Sequence, residues 1–316
     1  MNLSIVIITK NEEANIQRCL EAVQWCDDIL VVDDFSNDRT REIAESLGAR
    51  VVQNRFQSFA SQRNWALNQG ALRHDWVLML DADEVLTEPL RCELEAVLPV
   101  TPADVVGFLL CRKTMFMDRW LRFSDGFPVW IMRLVRRDGV RFVDAGHGEE
   151  PVPAVAGRLL RIREPFLHYA FSKGIADWVH RHNRYSTLEA NLERSQSAAW
   201  SIRELCSPNR STRRKSLRNL SRTLPFRPFW RFCFHYLLKA GIFDGRAGWN
   251  YAYLMSVYEG LIVMKRREKG PPVLLSTDDL ATSAPVSAAD QQHDRIDRNG
   301  GVSRTSVGTN IGSKHE

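Results

Sequence analysis

The chain has 316 residues, a formal net charge of +5, a pI near 9.0 and ordinary apolar content. That length predicts one sizeable α/β core with a smaller appendage, and that charge a basic side able to face phosphates, nucleic acid or an anionic membrane. The six cysteines, Cys19, Cys26, Cys92, Cys111, Cys206 and Cys233, are scattered without a CxxC pair, which argues against a zinc knuckle or disulfide framework and makes a reducing cytoplasm the expected compartment.

Residues 3–9 form a continuous β-branched run that predicts a buried strand, without the basic n-region and cleavage site of a secretion signal. Asn11 is the expected N-cap of a first helix, with Glu12 and Glu13 in its first turn and Ile16, Leu20 and Val23 at helical spacing. A second strand over 29–32 ends in Asp33-Asp34. A helix marked by Ile43, Ala44 and Leu47 and closed by Gly48 follows, then a short strand at Val51-Val52, a helix over 58–70 and a strand over 76–80. This alternation predicts a parallel sheet with right-handed crossovers, so the acidic strand ends share one edge.

Beyond a helix over 89–98 the pattern shifts to longer strands over 105–112 and 130–136, separated by a loop near 124–128, then to shorter ones over 140–143 and 159–162. Residues 173–198 read as a charged helix. From Arg203 to Arg231 the chain is strongly basic against the single acid Glu204, which calls for an anionic neighbour or open solvent. Residues 229–240 and 249–264 are apolar helical candidates, each short of the roughly 18 to 20 uninterrupted apolar residues of a membrane span. They are expected to lie in a membrane interface, to pack as a hairpin on the main domain, or both. Residues 276–316 lack periodicity and are expected to be disordered.

The sharpest chemical signal is Asp81-Ala82-Asp83 at the mouth of the 76–80 strand, where two carboxylates can meet a divalent cation. An isolated DxD triplet is also a common turn. Its weight comes from polar neighbours at the other strand ends, Thr9-Lys10-Asn11-Glu12 and Asp33-Asp34, and from Gln62-Arg63-Asn64. Neither GxGxxG nor a Walker sequence is present, so a dinucleotide or P-loop phosphate cradle is not supported, and a metal would have to meet the phosphates.

These segments, Ser4 to Glu12, Val31 to Thr40, Gln62 to Leu67 and Leu78 to Glu84, resemble glycosyltransferase family 2, whose members have the GT-A fold. Together with the His-Gly-Glu segment near Glu149, His168-Tyr169, Asn183-Arg-Tyr185 and Gly241-Ile-Phe-Asp-Gly245, they resemble the bacterial lipopolysaccharide core β-glucosyltransferase branch, over roughly residues 1 to 265. The resemblance implies a GT-A domain over 1–170 with a mixed sheet flanked by helices. A helical, membrane-interfacial region over 171–270 and a tail over 271–316 would follow.

It further implies that Thr9, Asn11 and Glu12 line the nucleotide, that Asp34 with Asp33 contacts base or ribose, and that Arg63 and Asn64 lie beneath it. Asp81 and Asp83 match the metal pair, with Asp83 the more direct ligand of Mg2+ or Mn2+. The donor would be a nucleotide-diphosphate sugar, foremost a UDP-sugar. The acceptor would be a glycolipid or lipopolysaccharide core, met at the inner face of the cytoplasmic membrane. An inverting transfer needs a carboxylate base. Glu149 is the first candidate, but Gly148 separates it from His147, which leaves the role open between Glu149 and Glu150, with Asp125 in reserve.

A buried structural histidine is as fitting for His147 as a catalytic one, and more fitting for His168. Trp120, Phe127 and Trp130 could stack on an acceptor sugar or be core, and Arg119 and Arg122 could meet acceptor phosphates or be solvated. Two other readings are a nucleotidyltransferase, which would need a Gly-rich basic loop after the first strand, and a nucleic-acid module using Arg203 to Arg231. The basic run adjoins apolar helices instead of interleaved aromatics, so nucleic acid is not an expected partner.

Overall fold

The computed structural model describes residues 1–145, 148–195 and 201–268. The 271–316 tail, expected to be disordered, lies outside the described residues.

The first half alternates β1 (Leu3–Thr9), α1 (Ile16–Glu21), β2 (Ile29–Asp33), α2 (Thr40–Ser46), β3 (Arg50–Gln53), α3 (Phe59–Gln69) and β4 (Trp76–Asp81). β5 (Glu84–Val85), α4 (Glu88–Val97) and β6 (Val105–Phe116) follow. Next come β7 (Arg119–Trp120), β8 (Val129–Arg136), β9 (Val140–Ala145), β10 (Gly148–Pro153) and β11 (Arg158–His168). The main sheet runs β3-β2-β1-β4-β8-β6-β11-β5, with β7 paired to β6 and a separate β9-β10 hairpin. β3, β2, β1 and β4 are mutually parallel, and β8 enters antiparallel between β4 and β6. The mixed GT-A sheet expected from the sequence is therefore present.

β1 is buried throughout because helices cover both sides of it. Leu3, Ile5 and Ile7 pack with Ile16 and Leu20 of α1 and Leu90 and Leu94 of α4, while Val6 and Ile8 pack with Ala66 and Leu67 of α3 on the opposite face. Such a two-sided core explains an unbroken apolar run in place of alternation, and each fully buried Leu or Ile contributes about 1.5–3 kcal/mol. α3 starts at a reciprocal cap: Ser58 Oγ accepts the Ser61 N–H and Ser61 Oγ accepts the Ser58 N–H, each at 3.1 Å.

Asn11 is not a helix cap. Its φ of 53° is left-handed, its N–H donates to Ser36 Oγ at 2.8 Å, and its Oδ1 accepts the Asn37 N–H at 2.9 Å, so it fastens the loop after β1 to the loop after β2. α1 starts five residues later at Ile16. β6 and β11 extend past the expected 105–112 and 159–162 strands because they pair with each other in parallel, a long-range contact that local pattern does not reveal.

The carboxyl-terminal part is helical: α5 (Gly174–Ser195), α6 (Ile202–Leu205), α7 (Arg210–Thr223), α8 (Arg227–Cys233), a π-turn over Phe234–Leu238, a 3-10 turn over Gly241–Asp244 and α9 (Gly245–Arg267). Trp178 of α5 and Ala247, Tyr251, Leu254 and Met255 of α9 pack on Phe116 and Leu121, so α5 and α9 rest on the sheet domain. No helix among the described residues is long and apolar enough to cross a membrane. The basic run finds part of its anionic neighbourhood internally. Arg222 and Arg227 lie 3.4 and 2.9 Å from Glu193, and Arg227 also pairs with Glu259.

Candidate active site

Parallel register brings the expected residues together. Thr9 stands opposite Asp33, and Ile8 opposite Asp81, so β1, β2 and β4 deliver their polar ends to one edge. Asp34 accepts from Lys10 Nζ at 2.7 Å and from the Phe56 N–H at 2.9 Å, which fixes its carboxylate at the mouth of β2. Asp33 is fully buried and accepts the Ser36 N–H at 3.0 Å, so it shapes the turn after β2. Thr9 Oγ1 is buried without a hydrogen-bond partner.

Beneath this edge lies a buried network of arginines and carboxylates. Arg63, fully buried on α3, donates from Nη2 to Asp81 Oδ1 at 2.7 Å and from Nε to Glu149 Oε1 at 2.5 Å. Arg133 of β8 donates from Nη2 to Asp81 Oδ2 and to Glu84 Oε1, both at 2.5 Å. Both Asp81 oxygens are therefore held by guanidinium groups. These contacts make Asp81 an anchor of the loop that presents Asp83. The Asn64 amide clasps the Phe142 backbone, donating at 2.7 Å and accepting at 2.9 Å.

Asp83 is different. It is buried, its Oδ2 lies 3.4 Å from His168 Nε2, and its Oδ1 has no hydrogen-bond partner. Burial alone would raise the Asp83 carboxyl, but His168, Arg181 and Lys173 hold it well below the usual carboxylate range. His168 ends β11, and its Nδ1 is also buried without a partner. Beside them, Glu12 accepts from Lys173 Nζ at 2.6 Å and from Asn15 Nδ2 at 2.7 Å, in a narrow cleft lined by Asp83, Lys173, Asp177 and Arg181. Burial pushes the Glu12 carboxyl up to about 7, with Lys173 pulling it down and the Asp83 charge adding to the rise.

The orphaned Asp83 oxygen and the neighbouring His168 Nε2, 3.4 Å from the same carboxylate, are a donor pair suited to Mg2+ or Mn2+. Asp83 and His168 would thus fit a divalent cation. Among the described residues no three His, Cys, Asp or Glu side chains converge as a complete protein cage.

Glu149 and Glu150 are separated by the strand geometry of β10, since successive side chains point to opposite faces. Glu149 is buried against Arg63, with Oε2 lacking a partner, and burial pushes its carboxyl above the ordinary value against the pull of Arg63 and Arg133. Glu150 is half-buried. Asp125 accepts from Arg112 Nη2 at 3.0 Å, Thr114 Oγ1 at 2.6 Å and Tyr251 OH at 3.0 Å. Burial would raise Asp125, but Arg112, Thr114 and Lys239 pull it well below the carboxylate range, which favours Glu149 over it as proton acceptor. His147 lies outside the described residues.

Residues 4–140 match the family model described as Glycosyl transferase family 2. They form a family 2 glycosyltransferase domain. An uncharacterized glycosyltransferase of Rickettsia bellii is 43% identical over 94 residues, covering 29% of this chain and 31% of that protein. The lipopolysaccharide core biosynthesis glycosyltransferase LpsC of Rhizobium meliloti is 27% identical over 196 residues, covering 60% of this chain and 71% of LpsC. The chain is also similar in structure to S. aureus TarS 1–349, with a TM-score of 0.40, 13% identity and coverage of 84% and 89% of the two chains. It spans about a third of the length of the Rickettsia relatives.

The family match ends before Glu149, His168, Lys173 and Arg181, which stand at the same edge. Arg133 escaped the sequence reading, although a lone arginine inside Ile131-Met-Arg-Leu-Val135 is a signal, since a charge in a buried strand requires a partner. Lys173 and Arg181 carried no such signal, being two more cations in a charged helical stretch. His168 was read as structural, and its place beside Asp83 depends on the pairing of β11 with β5 and β6.

Proposed function

We propose that the chain is an inverting hexosyltransferase that moves glucose from a nucleotide-diphosphate sugar, foremost UDP-glucose, to a lipid-linked or lipopolysaccharide core saccharide at the inner face of the cytoplasmic membrane. The observation that carries this reading is the unpartnered Asp83 carboxylate oxygen at the strand edge of a family 2 domain, beside His168. The likeness to LpsC, by its name a lipopolysaccharide core glycosyltransferase, supports the acceptor class.

In this reading Asp34, fixed by Lys10, receives the nucleoside, and Thr9 Oγ1 finds its partner there. Asp83 and His168 would hold Mg2+ or Mn2+, which would supply Lewis-acid neutralisation of charge on the departing diphosphate. Arg63 and Arg133 lock Asp81, and so fix the Ala82-Asp83 loop without reorganisation during the reaction. Lys173 and Arg181 add positive charge beside the same cleft. Glu149 takes the proton from the acceptor hydroxyl as that oxygen attacks the anomeric carbon from the face opposite the leaving diphosphate. Its raised affinity for protons and its free Oε2 suit it to that task.

The test is nucleotide release from a panel of nucleotide sugars with Mn2+, wild type against Asp83→Ala. If no donor is bound or turned over, or if the variant keeps full turnover, the reading fails.

A further inference from the structure

The carboxyl-terminal helices carry a surface that packing against the sheet domain does not explain. Every exposed residue between positions 224 and 243 is apolar. Phe226, Leu238 and Phe243 are 81%, 80% and 75% exposed, and Trp230, Leu237 and Ile242 also stand largely in solvent. Single exposed apolar side chains are ordinary, but ten of them within twenty residues, with Arg231, Tyr236 and Lys239 only half-exposed between them, mark an interaction face.

Charge identifies the occupant. From Leu205 to Phe243 the chain has seven arginines, two lysines and no aspartate or glutamate. Arg222 and Arg227 are neutralised by Glu193, whereas Arg213 of α7 and Arg246 at the start of α9 stand exposed. A second copy of the chain docked symmetrically would set this acid-free stretch against itself. An anionic lipid surface offers apolar depth for the aromatics and opposite charge for the rim.

The inner side of the same segment faces the sheet domain. Asp244 accepts the backbone N–H groups of Arg122, Phe123 and Ser124 at 2.7–3.3 Å, and His235 Nδ1 lies 2.9 Å from the Ser124 carbonyl oxygen. Gly241 and Gly248 make this joint close, since a Cβ on Gly248 would sit 2.0 Å from the Gly241 carbonyl oxygen and 2.9 Å from Ser124 Oγ. The outer ridge and the 122–124 loop are therefore one rigid unit.

We propose that residues 224–243 form a docking ridge for an anionic bilayer surface, lying on it without crossing it, with the 122–124 loop held beside the lipid. The ridge deepens the reading of a membrane-borne acceptor and rests on it only for the use of that loop. The experiment is flotation of the full chain with phosphatidylcholine vesicles, with and without phosphatidylglycerol, alongside donor hydrolysis in the absence of lipid. Wild type floats with the anionic vesicles and loses that partition at high salt. The double variant Leu238→Glu, Phe243→Glu, altered only at exposed positions, loses partition on the order of tenfold or more while keeping its melting temperature and donor hydrolysis. Flotation that ignores lipid charge, undiminished flotation of the double variant, or self-association of wild type abolished by the double variant would each overturn the proposal. Loss of donor hydrolysis in wild type would instead sink the transferase reading and leave the ridge standing.

Discussion

Among the described residues, a buried cluster of arginine and carboxylate at the strand edge and a partly buried one among the carboxyl-terminal helices differ in how completely they are satisfied. Around Glu193, helices α5, α7, α8 and α9 bring Arg222, Arg227 and Arg266 within 3.4 Å of one carboxylate, and neither Glu193 oxygen is left without a partner. At the strand edge, Asp81, Glu84 and Glu149 meet Arg63 and Arg133, and Asp83 meets His168, yet Asp83 Oδ1, Glu149 Oε2, Arg63 Nη1, Arg133 Nε and His168 Nδ1 are buried with none. A buried polar atom left unpaired costs about 1–3 kcal/mol. On the function proposed above, the open cluster is the one that receives donor and metal. The same residue types thus act as a clamp in one place and as a receptor in the other.

The contrast predicts that substitutions at the open cluster damage chemistry and those at the closed cluster damage stability. The largest effect is expected at Asp83. Asp83→Ala should reduce nucleotide-sugar turnover about a thousandfold, the scale of removing a principal charge stabiliser, while the variant stays folded with a modestly lower melting temperature, because His168, Arg181 and Lys173 lose the carboxylate they hold in its charged form. A variant that unfolds and retains specific activity would place Asp83 in the scaffold. Next comes Glu149→Gln, expected to lower transfer by roughly 10² to 10⁴ with donor binding intact, whereas Glu150→Gln should leave the rate within about twofold. The pH–rate profile adds a sign. The base works as carboxylate, so wild-type rate should rise with pH through a midpoint above the ordinary carboxylate value, and the Gln variant should lack that limb.

At the closed cluster Glu193→Ala strands Arg222 and Arg266, and Arg227 keeps only Glu259. Removing one partner of a buried ion pair costs about 3–5 kcal/mol, which denaturant unfolding would register as a lower midpoint. Specific activity of the folded fraction should be unchanged. Activity lost without a stability change would dissolve the distinction between the clusters.

Much of the receptor side was legible in the sequence because it is built from strand ends. An apolar run followed by Asp81-Ala82-Asp83, or by Asp33-Asp34, states both the strand and the edge at which it stops. The partners were not legible. Arg63 reaches Glu149 across 86 positions, and Arg133 reaches Asp81 across 52, so no local spacing could show that Asp81 is taken and Asp83 free. Asn11 had the composition of a cap, but the loop to Ser36 and Asn37 offered its backbone and amide better partners than a helix start did. Asp125 sits in a loop suited to a base, and only the folded arrangement shows that Arg112, Thr114 and Tyr251 all donate to it.

The smallest predicted effect tests whether the open cluster is under electrostatic tension before any ligand binds. Glu12 is pushed from 4.5 to about 7 in the folded chain. Between those two values the native state binds more protons than the unfolded one, so its contribution favours folding at low pH and is lost as pH rises toward and through 7. Glu12→Gln carries no charge at any pH and escapes that loss. The stability of the variant relative to wild type, measured by denaturant unfolding without nucleotide or metal, should therefore climb between pH 4 and pH 8 by on the order of 2 kcal/mol. The climb does not depend on what the variant loses at Lys173 in fixed contacts, because a constant offset cancels in the pH dependence. A flat difference across that range would mean that Lys173 fully balances Glu12, and that the strand edge stores less unpaired charge than its geometry implies. A falling difference would reverse the sign and make Glu12 part of a satisfied clamp, like Glu193.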